Sequence, residues 1–85
     1  MAEVIQQYTP QFHDDEKGIS YTVMAYGEMT AGGTWEGWLE FHPADKTEQT
    51  LRTGRETTQP DRAALEYWAS GLEPLYFEGA FARAR

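Results

Sequence analysis

The chain has 85 residues, a mass of 9.7 kDa and a formal charge of −7 at pH 7, with 40% hydrophobic and 14% aromatic residues. A chain of this length forms one small domain or part of one, and so apolar and aromatic a composition excludes a disordered chain. The absence of cysteine excludes disulfides, thiol catalysis and zinc–thiolate sites.

The negative charge is concentrated in the first half of the chain. Residues 1–49 hold nine acids and two bases, whereas residues 50–85 hold five of each. An acidic field repels nucleic-acid phosphates and anionic lipids. No stretch approaches the ~20 apolar residues of a membrane span, and the first residues do not resemble a signal peptide. We therefore expect a cytoplasmic protein with no nucleic-acid partner and no membrane partner.

The pattern along the chain predicts a short N-terminal segment followed by one domain. Residues 1–18 are polar and are expected to be partly ordered, with one possible edge strand, and residues 19–85 form the domain. Residues 19–29 and 34–42 are rich in β-branched and aromatic residues and predict two strands. A third, weaker strand is predicted at about 49–55 from the sequence pattern.

A Gly-Gly pair between the first two strands predicts a β-hairpin with a two-residue type I′ turn at Gly32 and Gly33. That turn places Tyr26 opposite Leu39, and a one-residue slip would exchange the two faces of the hairpin. In this register one face is the predicted core, formed by Met24, Tyr26, Trp35, Leu39 and Phe41.

Two helices are predicted after the strands. Thr58, followed by Asp61, resembles a capping box, Pro60 suits a first helical turn, and Gly71 suits a left-handed helix end. A second helix is predicted from Pro74 to about residue 84, and its apolar residues leave almost no polar face. The expected fold is α+β: a three-stranded antiparallel sheet, with a possible extra N-terminal edge strand, and two C-terminal helices packed on one face.

Three sequence blocks carry a resemblance to a known group. Residues 35–41 (WEGWLEF), 55–59 (RETTQ) and 65–74 (LEYWASGLEP) resemble blocks of short bacterial proteins of unknown function. The resemblance covers about residues 19–85. It implies a small, self-contained bacterial domain and brings no activity and no site residues with it.

The leading functional hypothesis is a non-enzymatic protein-interaction module that binds another chain or a second copy of itself. Trp38 lies between two acids on one face of its strand, and such a surface can take a cationic group. The alternative is that the last helix covers Trp38. The candidate interaction surface comprises Tyr21, Glu36, Trp38, Glu40, Phe77 and Phe81.

A second hypothesis is a small-anion or nucleotide-binding regulator. Arg52, Arg55 and Arg62 crowd around a helix start at Thr58, where arginines and free backbone N–H groups can hold a phosphate or carboxylate. The alternative is that Thr58 caps the helix and the arginines pair with acids. A third, weaker hypothesis is an acidic mimic of nucleic acid.

The sequence offers no catalytic constellation. Ser20 and Ser70 lie in no nucleophile elbow, and no Gly-rich phosphate loop is present. The run His13–Glu16, with His42 elsewhere, lacks the spacing of a metal site. We expect no catalytic residues, no metal and no cofactor.

Overall fold

The computed structural model describes residues 1–84, which form a six-stranded antiparallel sheet and two C-terminal helices. The α+β class is therefore confirmed, but the sheet has more strands than the predicted three. The strands are β1 (Glu3–Gln7), β2 (Phe12–Asp14), β3 (Ile19–Met29), β4 (Trp35–Pro43), β5 (Leu51–Arg52) and β6 (Thr57–Gln59), and the helices are α1 (Arg62–Ser70) and α2 (Pro74–Arg83).

The long hairpin β3–β4 forms the centre of the sheet. Both β1 and β2 pair with β3, so the segment 1–18 supplies one whole edge, and β5 and β6 pair with β4 at the other edge. Only Leu51–Arg52 of the predicted strand at 49–55 is formed, and β6 lies beyond the predicted range, because the regular backbone ladder ends at Thr53. Its backbone N–H donates to the Leu39 carbonyl, while its hydroxyl accepts from the Leu39 N–H at 3.1 Å.

The predicted register of the hairpin is wrong by one residue. Tyr26 lies opposite Trp38, not Leu39. The loop has three residues instead of two, because the Gly33 N–H donates to the Thr30 carbonyl and Gly33 has a positive φ of 91°. A type I turn followed by one left-handed residue is the usual three-residue hairpin loop, and Gly tolerates that conformation.

The shifted register inverts the face assignment of β3. Tyr21, Val23 and Ala25 are buried on the face that the helices cover, while Met24 and Tyr26 lie on the opposite face. For β4 the core prediction is confirmed at Leu39 and Phe41, which are fully buried, but not at Trp35, which is only partly buried and lies outside the core cluster. The remaining buried members of the core cluster are Tyr8, Ala69, Phe77, Ala80 and Ala84.

Helix α1 docks on the sheet at two facing glycines. Gly27 and Gly37 lie directly opposite each other in β3 and β4, and the fully buried side chain of Leu65 occupies the space that their missing side chains leave. A Cβ atom at Gly27 would lie 2.3 Å from Leu65 Cδ2, and one at Gly37 would lie 2.7 Å from Leu65 Cδ1. The close approach of α1 to the sheet therefore requires glycine at both positions.

The predicted capping of α1 is also wrong. Asp61, not Thr58, is the N-cap residue, and its Oδ1 accepts a hydrogen bond from the Ala64 N–H at 2.8 Å. Thr58 lies in β6 and pairs with Glu36, and Pro60 precedes the helix. Gly71 follows α1 as predicted, but with a φ of −94° and not in the left-handed region.

We expect Asp61→Ala to lower the free energy of unfolding by about 1 kcal/mol, the usual cost of losing an N-cap side chain. Thr58→Ala, which the capping-box prediction would have made costly, should change it by less than about 0.5 kcal/mol, because its side chain is exposed. Urea unfolding of both variants checks this. An equal loss in the two variants would contradict the assignment of the cap.

Candidate functional site

The structure divides the candidate interaction surface between the two sides of the sheet. Tyr21, Phe77 and Phe81 pack on the helix side, where Phe81 contacts Tyr21 and Phe41 at ring-centroid distances of 5.2 Å. Tyr21 and Phe77 are 1% and 8% exposed, so these rings hold α2 to the sheet. The strong apolar character of the last helix is thus accounted for mainly by burial within the chain.

Glu36, Trp38 and Glu40 lie on the opposite side, which we call the open face because neither helix packs on it. Successive side chains of a strand alternate between faces, so the even-numbered residues of β3 and β4 share this side. Contacts and pairing add Val4 and Arg52 to it. The open face comprises Val4, Met24, Tyr26, Glu28, Glu36, Trp38, Glu40, His42 and Arg52.

Trp38 is only 4% exposed, although no helix covers it. The guanidinium of Arg52 lies 4.2 Å from the centre of its ring, and the Tyr26 ring lies 6.2 Å away and nearly parallel to it. An arginine over an indole gains cation–π attraction as well as apolar contact. Trp38 is therefore covered by its strand neighbours, not by the last helix.

Three nearly parallel rings form a row across the open face. Tyr26 lies between Trp38 and His42, at centroid distances of 6.2 and 6.1 Å and interplanar angles of 13° and 14°. Tyr26 and His42 are both partly exposed. The row presents two accessible rings beside one that is buried.

Glu40 fixes this row of rings. One carboxylate oxygen lies 3.0 Å from His42 Nε2, and the other accepts a hydrogen bond from Trp38 Nε1 at 3.1 Å. The Glu40 side chain is only 16% exposed. Because both oxygens are engaged within the chain, Glu40 positions the rings and is poorly available to a ligand.

Two further carboxylates face each other at the end of the open face nearest the hairpin loop. Glu28 and Glu36 are directly paired across β3 and β4. Glu28 lies 3.1 Å from the amino group of Met1, and Glu36 lies 3.6 Å from Arg55, with all four groups well exposed. Like charges directly opposite on a sheet are destabilising, and exposed ion pairs compensate only weakly.

The candidate anion-binding residues are not brought together. Arg52 lies over Trp38, Arg55 pairs with Glu36 on the same side, and Arg62 pairs with Glu3 and Glu66 at the start of α1. Hydrogen bonds to Glu3 and Glu66 raise the pKa of Arg62 further above its ordinary value. Thr58 lies in β6, away from the cap it was expected to form. These residues form no shared anion pocket.

A cavity of about 300 Å³ lies at the other end of the molecule, between the β1–β2 loop and α2. Tyr8, Phe12 and Phe77 supply aromatic walls, and Glu78 and His13 add polar groups. The Tyr8 hydroxyl donates to the Ala69 carbonyl at 2.7 Å, and burial raises the pKa of Tyr8 strongly. No sequence pattern indicated this cavity, because its walls are about 60 residues apart in the chain.

A carboxylate with little exposure links the second edge of the sheet to α2. Glu56 is 8% exposed and accepts hydrogen bonds from the Tyr76 hydroxyl at 2.5 Å and from Arg83 Nη2 at 2.5 Å. Burial raises the pKa of Glu56, but the hydrogen bonds from Arg83 and Tyr76 outweigh it, so this pKa lies below its ordinary value. Burial and the bond to Glu56 raise the pKa of Tyr76 to about 12. The cluster of Glu56, Tyr76 and Arg83 holds α2 against the edge of the sheet.

One histidine in the described part of the chain lies beside a serine and an aspartate. His13 Nδ1 lies 3.0 Å from Ser20 Oγ, and His13 Nε2 lies 3.7 Å from Asp15, but the His13 and Asp15 side chains are 53% and 97% exposed. A catalytic nucleophile needs protection from water, which side chains as exposed as these do not give it. Within residues 1–84 no group of three or more His, Asp or Glu residues could hold a metal ion.

Sequence reasoning identified the β4 residues of the open face but assigned Tyr26 to the core and missed its stacking with His42. The alternation of side chains along a strand could have shown this, because a three-residue loop places Tyr26 on the same face as Trp38. Only the loop length decides whether Tyr26 lies in the core or on the open face. Gly32-Gly33 suits both the two-residue and the three-residue loop, so the sequence does not give that length.

Comparisons of the chain with protein-family models, with curated proteins and with solved structures returned no match. The resemblance to short bacterial proteins therefore stays a prediction. Within the described part of the chain, neither helix has the length and apolar character that a membrane crossing requires.

Proposed function

We propose that this protein is a non-enzymatic interaction module of the cytoplasm that binds a basic segment of another protein through its open face. The observation that carries the proposal is the row of Tyr26, Trp38 and His42 beside the facing carboxylates of Glu28 and Glu36. Aromatic rings and adjacent carboxylates are the groups that bind arginine and lysine side chains.

The rigidity of the open face supports binding. Glu40 holds both Trp38 and His42, and Arg52 covers the indole, so the rings are oriented before any partner arrives. Ordering side chains on association costs about 0.5–1.5 kcal/mol for each flexible group. A surface that is already ordered avoids much of that cost.

The charge of the molecule favours a basic partner. Glu28 and Glu36 repel each other in the free protein, and a cationic side chain placed between them would relieve that repulsion. The net charge of −7 also accelerates the encounter with a basic partner through long-range attraction. Both effects act against partners that carry phosphate groups.

The same charges disfavour a homodimer through the open face. A symmetric dimer places the same patch of both subunits in contact, which would bring Glu28 and Glu36 of one copy against those of the other. We therefore expect no dimer through the open face, which sedimentation equilibrium over about 1–200 μM can check with the wild type and the Glu28→Gln/Glu36→Gln variant. A dimer that is unchanged in this variant forms through another face, whereas a dimer that the variant abolishes uses Glu28 and Glu36 in its interface and contradicts the proposal.

The direct test is titration of the protein with a synthetic hexa-arginine peptide, followed by amide chemical shifts. We expect the largest shifts at Tyr26, Glu28 and Glu36. The double variant Glu28→Gln/Glu36→Gln should weaken binding about 5- to 10-fold, the effect of two partly exposed ion pairs. It should change the free energy of unfolding by no more than about 0.5 kcal/mol, because the two carboxylates that it removes repel each other in the wild type.

The matched control is Asp45→Asn/Glu48→Gln, which removes the same charge from the exposed loop between β4 and β5. The peptide should bind this variant within about twofold of the wild type, because only the general field changes. Equal losses in the two double variants, or shifts spread over all acidic residues, would show unspecific attraction and refute the proposed surface.

A further inference from the structure

We infer that the cavity between the β1–β2 loop and α2 binds a small organic cation, an ammonium group carried on an apolar body. The site is separate from the open face, and the inference does not depend on the proposed function. Its volume of about 300 Å³ lies at the lower limit of ligand pockets, which suits a small molecule.

The aromatic walls of the cavity are fixed before a ligand binds. Tyr8 and Phe77 pack against each other at 4.7 Å, and the Tyr8 hydroxyl is held by the Ala69 carbonyl. Phe12 packs against Phe81 at 4.9 Å and against Phe41 at 5.6 Å. Three rings held in this way offer apolar contact to the body of a ligand and cation–π attraction to an ammonium group.

The charge of the lining selects for a cation. Glu78 lines the cavity and forms no ion pair within residues 1–84, and neither lysine nor arginine lines it. The amino end of α2 also meets the cavity, and a helix N-terminus by itself favours anions. That end is Pro74, which has no N–H group, and the carboxylate of Glu73 precedes it. The uncompensated charge near the cavity is therefore negative.

The test compares three molecules of nearly the same shape: benzylammonium, neutral benzyl alcohol and anionic benzoate. Each is titrated into the full chain at about pH 7 and about 0.15 M salt, where general surface attraction is screened. We expect benzylammonium to shift the amides of Tyr8, Gln11 and Phe77 with a dissociation constant of about 1–5 mM, as befits a fragment. Benzyl alcohol should bind at least about fivefold more weakly, and benzoate should not saturate.

Glu78→Gln should weaken benzylammonium about fivefold and leave benzyl alcohol unchanged, because only the ammonium group interacts with that charge. Glu48→Gln is the control, since it removes one exposed carboxylate that does not line the cavity. Both positions are exposed, so both variants fold.

Three results would overturn the inference. The first is benzoate or benzyl alcohol binding as tightly as benzylammonium. The second is an equal effect of Glu78→Gln and Glu48→Gln. The third is a set of shifts confined to Tyr26, Glu28 and Glu36, which would place the cation on the open face and support the proposed function instead.

Discussion

Gly27→Ala should lower the free energy of unfolding by about 2–3 kcal/mol, the cost of forcing an extra methyl group into a packed core. The new Cβ would lie 2.3 Å from Leu65 Cδ2 and 3.1 Å from Ile5 Cγ1. Leu65 is fully buried and cannot swing into solvent, so α1 must move away from the sheet. Urea unfolding followed by circular dichroism measures the loss.

Gly32→Ala is the matched control. Gly32 lies in the hairpin loop, its φ is not positive, and the nearest atom to an added Cβ is Thr30 Oγ1 at 3.8 Å. We expect this variant to stay within about 0.5 kcal/mol of the wild type, or to be slightly more stable because the unfolded chain loses freedom. Equal losses at Gly27 and Gly32 would mean that the general effect of adding a methyl group, not the contact with α1, determines the cost.

A double-mutant cycle separates the contact with Leu65 from other effects. Leu65→Ala alone should lower the free energy of unfolding by about 2–5 kcal/mol, because it leaves a cavity in the core. In the Gly27→Ala background it should cost at least about 1 kcal/mol less, because the smaller side chain makes room for the added methyl group. Strict additivity of the two changes would refute the proposed packing of α1 on the facing glycines.

Glu56→Gln should lower the free energy of unfolding by about 2 kcal/mol, because it removes a buried charge that two donors share. The Tyr76 hydroxyl and Arg83 Nη2 both donate to Glu56 Oε1, which the carbonyl oxygen of Gln can replace as a weaker, uncharged acceptor. The amide nitrogen of Gln would take the place of Oε2, which accepts from Arg83 Nε, so that two donors would face each other there. Arg83 is half exposed and regains water, which keeps the loss moderate. Chemical unfolding at about pH 7 measures it.

The control is Glu66→Gln, which also removes a carboxylate that pairs with an arginine. Glu66 and Arg62 form an exposed pair one turn apart on α1, with 3.0 Å between Arg62 Nε and Glu66 Oε2. Such pairs contribute about 0.3–0.5 kcal/mol. If Glu56→Gln lowers the free energy of unfolding no more than Glu66→Gln does, burial adds nothing to the interaction between the sheet edge and α2.

The loss at Glu56 should depend on pH in a defined direction. The folded state lowers the pKa of Glu56 below its unfolded value of 4.5, so its stabilising effect is present above that value and is lost as the pH falls through the folded pKa. The stability difference between wild type and Glu56→Gln should therefore be constant from about pH 6 to 8 and shrink as the pH falls below the unfolded pKa of 4.5. A difference that stays constant down to about pH 2 would contradict a charged role for Glu56.

Tyr76 limits the same cluster at high pH. Its pKa is raised to about 12 by burial and by Glu56, so its neutral form stabilises the fold below the ordinary value of 10.0, and that contribution is lost as the pH rises toward 12. Glu56 is therefore ionised and Tyr76 neutral across the neutral pH range, so their hydrogen bond persists there and stabilises the fold.

The amino-acid sequence alone determined the α+β class, the bounds of the hairpin strands to within one residue, and the two C-terminal helices. These features follow from signals within about ten residues, such as the β-branched run at 19–29, the glycine loop and the proline at position 74. It also identified the β4 side of the candidate surface, because Glu36, Trp38 and Glu40 share a face whatever the partner strand does.

Only the tertiary structure decided which residues of β3 join that face. One additional loop residue moved Tyr26 from the predicted core to the open face, and local sequence could not distinguish the two turns. The cavity and the Glu56 cluster likewise join segments about 20 to 60 residues apart in the chain. Such sites form when packing brings distant elements together. The hydrophobic effect that drives this packing is non-directional, so a local sequence pattern does not show which distant elements will meet.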